Sequence, residues 1–99
     1  MQEIEFSKLV EQALSMIIDT IETQDKGGSI DIDSHGDMLN IITSKGTFVI
    51  NKHSASKGIW LASPVSGPYH FYYIKGQWKS KANIELFSIL KNELGIDFD

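Results

Sequence analysis

Groups able to do chemistry gather toward the N-terminal end of the chain. Glu11, Asp19 and Glu22 recur at spacings that bring them to one side of a helix, and Asp31 and Asp33 follow, alternating with Ile30 and Ile32. Carboxylate oxygens are hard ligands suited to Fe²⁺, Fe³⁺, Mn²⁺, Ca²⁺ or Mg²⁺. Most charged helix faces are only solvated surface. Here the acids continue from the helix onto the next strand, and residues 1–37 hold nine acids against two lysines. Such a ridge repels itself, and a cation or a basic partner would relieve it. Without a preformed cage the oxygens should bind metal weakly and with poor selectivity. The run "DIDSHGD" (Asp31–Asp37) begins like a calcium-binding loop, but Ile42 stands where such a loop needs its final glutamate, which excludes an EF-hand.

Other chemistries find little support. There is no cysteine, so disulfides, thiolate zinc sites and cysteine-ligated clusters are excluded. His35, His53 and His70 show no HxH or HExxH spacing and read as turn or surface residues, His35 alone lying beside the acids as an additional ligand candidate. Ser54, Ser56, Ser63 and Ser66 have no G-x-S-x-G elbow and read as turn residues, and "SKG" and "ASKG" are not phosphate loops. No Glu-x-x-His pair is present, against a di-iron oxidase or iron-storage site. Residues 38–83 carry six lysines and no acid, but the lysines are scattered and the chain has no arginine, which argues against nucleic acid. No apolar run approaches the ~18 residues of a membrane span. The acidic start "MQEIEF" resembles neither a signal nor a transit peptide. A cytoplasmic protein without a membrane partner is the expectation.

These groups need positioning elements. Phe6, Leu9, Val10, Ala13, Leu14, Ile17 and Ile21 form one apolar face of a helix over residues 3–23, closed by "KGG" at 26–28. Strands follow at 29–34, 38–43, 47–52, 59–63 and 69–74, with a short sixth around Trp78. Residues 84–94 return to helical spacing through Ile84, Phe87, Leu90 and Leu94, with Asn83 as cap and Gly95 as stop. Short turns favour antiparallel neighbours. The expected fold is α+β: a single domain, residues 1–99, forming a two-layer sandwich with both helices on one face of an antiparallel sheet of five to six strands. The other sheet face is left to solvent or a partner. Within "IWLAS", Ile59 and Leu61 point opposite to Trp60. If those two face the helices, Trp60 faces out beside the small residues Ala62 and Ser63, as an interface anchor would.

The segments "GTFVINKH", "IWLASPVSGPYHF", a lone later tryptophan and the helix "LFSILKNEL" resemble the frataxin family in its short bacterial form, in order and spacing over nearly the whole chain. The resemblance implies the same helix–sheet–helix sandwich and a non-enzymatic role in iron–sulfur cluster assembly, in a bacterial cytoplasm. It implies weak iron binding by surface carboxylates, here Glu11, Asp19, Glu22, Asp25, Asp31 and Asp33. It also implies docking on the cysteine desulfurase and the scaffold protein, with Glu11, Asp19 and Glu22 on the ridge and Asn51 and Trp60 on the sheet as contacts. A monomer is expected. This chain departs from the family pattern at Ile18 and Thr23, where acids are common, and at His53, Gly58 and His70 on the sheet side. The competing readings are an iron-oxidising or iron-storage protein and a protein-binding sandwich without physiological iron.

Overall fold

The apolar stripe of the first segment winds into α1 (Glu3–Gln24), which buries Phe6, Val10, Ala13, Ile17 and Ile21. Leu9 and Leu14, expected on the same face, flank that stripe and are only partly buried. Glu3 and Glu5 in the first turn suit the positive end of the helix. The computed structural model describes residues 1–98.

Six strands follow: β1 (Asp31–His35), β2 (Met38–Thr43), β3 (Gly46–His53), β4 (Gly58–Ser63), β5 (Gly67–Ile74) and β6 (Gln77–Lys79). They lie in sequence order, each antiparallel to the next. A 3₁₀ turn, Ser54–Ser56, links β3 to β4. Register sorts the side chains into two faces. Leu39 pairs with Ile50, Ile50 with Leu61, and Ile59 with Phe71, all fully or almost fully buried against the helices. Trp78 joins them, edge-on to Phe6 and to Tyr73. The six-stranded antiparallel sheet with two helices on it is the expected sandwich.

The second helix departs in detail. α2 runs Leu86–Leu94 and its cap is Glu85, whose carboxylate accepts from Phe87 N at 3.0 Å and Ser88 N at 3.2 Å. Asn83 instead takes a left-handed turn at φ 65°. The chain from Ser80 to Ile84 closes on itself through Ser80 N to Ile84 O, and Glu85 bridges back to Lys79. Helix formation therefore starts two residues later than expected. Leu86, Ile89 and Leu90 become the buried face, while Ile84 is exposed and Phe87 and Leu94 are half-buried. Gly95 ends the helix at φ 72°, as its lack of a Cβ allows.

The tail then returns to α1. Asp97 N donates to Gln24 Oε1 at 2.8 Å, Ile96 is buried, and Phe98 packs on Phe87. On the opposite flank Lys52, only 12% exposed, donates to Ser7 Oγ at 2.9 Å and lies 3.8 Å from Glu3 and 4.0 Å from Asp37. These contacts fix both ends of α1 against the rest of the fold.

Candidate functional site

Glu11, Asp19 and Glu22 are exposed on the outer side of α1. Asp31 and Asp33 are exposed on β1, the edge strand, which leaves them beside no second acidic strand. Their neighbours across the sheet are Ile42 and Asn40, residues of the face opposite the core. The two groups of acids therefore look outward on different sides of the molecular edge. They meet at one point, where Glu22, Asp25 and Asp31 line a shallow depression between the end of α1 and β1. Among the described residues no three carboxylate or histidine groups converge as a metal cage. The donor set is hard oxygen, open and solvated, which fits labile cation binding rather than a fixed centre.

Asp25 differs from a free ligand. One carboxylate oxygen accepts from Ser29 N and Ser29 Oγ, the other from Ile30 N at 2.8 Å. The bonds from Ile30 and Ser29 hold its carboxyl below the usual aspartate range. Its first task is to tie the helix end to the entry of β1. His35, at the far end of β1, places Nε2 3.0 Å from Asp33 and remains exposed.

The second surface is the open sheet face. Register carries one row across it: His35 opposite Met38, Met38 opposite Asn51, Asn51 opposite Trp60 and Trp60 opposite His70. Trp60 is 46% exposed, whereas its strand neighbours Ile59 and Leu61 are buried, as alternation along the strand requires. Val49, Asn51, Trp60, Ala62 and Pro68 line a shallow hollow of about 410 Å³ on this face. Ser63, expected beside Trp60, turns instead to the core side. Its hydroxyl accepts from Val65 N and Ser66 N and donates to Glu93 of α2. Ser66 also donates to Glu93, so the β4–β5 turn is clamped to the second helix. The serines of this turn hold it against α2.

Sequence spacing gave no reason to group His53 with His70, because they lie on non-adjacent strands. In the fold His53 stacks on Trp60 at 4.3 Å, and His70 meets Trp60 edge-on at 5.5 Å. Burial, then the neighbouring His53 and Lys81, lower the pKa of His70. Trp60 is thus braced by an imidazole on either side.

A profile of the frataxin-like domain matches residues 1–99. The chain belongs to the frataxin family. It is 38% identical over 95 residues to the iron-sulfur cluster assembly protein CyaY of Vibrio cholerae, covering 94% of this chain and 88% of that one. Among solved structures it is similar to a trimeric frataxin from the yeast Saccharomyces cerevisiae complexed with ferrous iron. That match has a TM-score of 0.80 and 33% identity, over 88% of this chain and 82% of the other. The frataxin of Psychromonas ingrahamii shares the fold at a TM-score of 0.88 and 24% identity, over 100% of this chain and 99% of the other.

Proposed function

We propose that this frataxin regulates iron–sulfur cluster assembly by docking on the cysteine desulfurase and its scaffold protein, and that it holds iron weakly on the acidic ridge as cargo. It performs no chemistry of its own. It works as a monomer in the bacterial cytoplasm. The relative from Vibrio cholerae, named as an iron–sulfur cluster assembly protein, supports the pathway. The observation that carries the docking role is Trp60: a large indole 46% exposed on a sheet face, paired with Asn51 and braced by two histidines. Its packing on the two histidines holds the indole in one orientation, so its exposed half is a preorganised anchor for a partner.

The two surfaces divide the work. Glu11, Asp19 and Glu22 attract a basic patch on the desulfurase at long range and speed the encounter. Trp60 and Asn51 then set residence time by apolar contact and by pairing with polar groups of the partner. Glu22, Asp31, Asp33 and the outer acids of α1 are the iron-contacting groups. Asp25 adds negative charge at the same depression while its oxygens hold the loop.

The test is charge reversal. Surface plasmon resonance on immobilised desulfurase should show that Asp19→Lys combined with Glu22→Lys lowers the association rate and flattens its dependence on ionic strength. An unchanged association rate at low salt would remove the ridge from docking.

A further inference from the structure

The approach of His53 to His70 depends on a residue between them. Gly58 of β4 pairs with His53 on one side and with Tyr72 on the other. A Cβ at position 58 would stand 2.5 Å from His70 Nε2 and 2.7 Å from Phe71 O. The missing side chain opens a gap over which the two imidazoles come together, their centroids 5.7 Å apart and their planes at 83°. Ser56 closes the gap. Its Oγ lies 2.7 Å from His53 Nδ1 and 2.8 Å from His70 Nε2.

Two ring nitrogens from two strands therefore address a single polar point. A hydroxyl has one proton, so it can donate to only one of them, and the other ring must supply its own N–H. Apolar and aromatic walls hold the rings in place. Trp60 stacks on His53, and Tyr72 packs on His70 with its hydroxyl 3.3 Å from the remaining nitrogen, Nδ1. That last contact is the kind of outer partner that fixes the orientation of a ligating imidazole.

Imidazole is a borderline ligand that suits Zn²⁺, Ni²⁺, Cu²⁺ and Fe²⁺, unlike the hard carboxylates of the ridge. Metal–imidazole bonds are about 2.0–2.1 Å, so a cation near the hydroxyl position needs each ring to close by less than about 1 Å. We propose that His53 and His70, with the Ser56 hydroxyl turned aside from the point it occupies between them and water completing the shell, form a metal site for a borderline divalent cation. The site stands on residues apart from the acidic ridge and does not depend on the ridge binding iron. Because Trp60 stacks on one ligand, the indole reports occupancy.

The experiment titrates the full chain with Zn²⁺ at about pH 7.5 and follows the ring nitrogen signals of all three histidines by NMR. His53 and His70 should shift together and saturate at one equivalent, ahead of any change at His35. Ni²⁺ should quench Trp60 fluorescence over the same range. His53→Asn and His70→Asn should each weaken binding by more than about tenfold, and His35→Asn should leave it unchanged. The proposal is overturned if Zn²⁺ moves His35 while His53 and His70 stay still, or if quenching is the same in both variants. Should either variant misfold by circular dichroism, the ring signals of the unmodified chain decide alone.

Discussion

Replacing Trp60 by alanine separates docking from folding, because the residue is divided between the two. Its side chain is 46% exposed, so a little under half of a large aromatic surface is free for a partner. Taking a tryptophan as about 250 Å², that is roughly 115 Å² of mainly apolar area, worth about 2–3 kcal/mol at ~25 cal/mol per Å². At about 1.4 kcal/mol per tenfold, the dissociation rate should rise by a factor of roughly 30 to 150. The buried remainder is packed on His53 and His70, and losing it should cost the free protein about 1–2 kcal/mol, less than the ~3–5 kcal/mol of a fully buried aromatic. Surface plasmon resonance against a desulfurase–scaffold complex measures the first quantity and urea unfolding the second. The salt dependence of association should not change. An unaltered dissociation rate together with an unfolding loss of about 3–5 kcal/mol would make Trp60 a packing residue and refute the reasoning.

Ile17 is fully buried in α1 whereas Leu14 is only partly so. Urea unfolding should therefore show Ile17→Ala costing about 2–5 kcal/mol and Leu14→Ala clearly less. The Asp25 carboxyl titrates lower in the folded chain than in the unfolded one, so its stabilising effect is present above about pH 4 and is lost as pH falls through the folded value. Thermal melts should accordingly find Asp25→Asn less stable than the native chain at neutral pH, with the difference shrinking at about pH 3. Fe²⁺ added to the native chain should shift the amides of Glu11, Asp19, Glu22, Asp31 and Asp33, and binding should weaken with added salt because exposed charges are screened beyond ~8–10 Å; NMR shifts confined to the histidines would count against the ridge.

Much of the fold is legible because its signals are local. Period-two alternation in "IWLAS" put Ile59 and Leu61 inside and Trp60 outside, and the register shows that arrangement. The turns at Gly36 and at Ser44–Lys45 leave room only for antiparallel neighbours. The start of α2 was misread because Ile84 fits the helical spacing and Asn83 is a residue type that caps helices, whereas the closed turn from Ser80 and the Glu85 cap decide the boundary. The role of Asp25 was hidden for a similar reason: its charge is visible in the sequence, but its bonds to Ser29 and Ile30 are not. His53 and His70 could not be paired from spacing, since their meeting depends on strand order and on the absent side chain of Gly58. Ser63 was placed on the wrong face by treating it as a neighbour of Trp60, although its distance of three residues along the strand gives the opposite parity.

The central claim is that a regulator docks through both the ridge and the open sheet face. Amide-shift mapping of the labelled chain with purified cysteine desulfurase, and then with the scaffold protein added, tests it most directly. Perturbations are expected at Glu11, Asp19 and Glu22 with the desulfurase, and at Asn51 and Trp60 in the full complex. Perturbations confined to α2 and the C-terminal tail, with both of those surfaces silent, would contradict it.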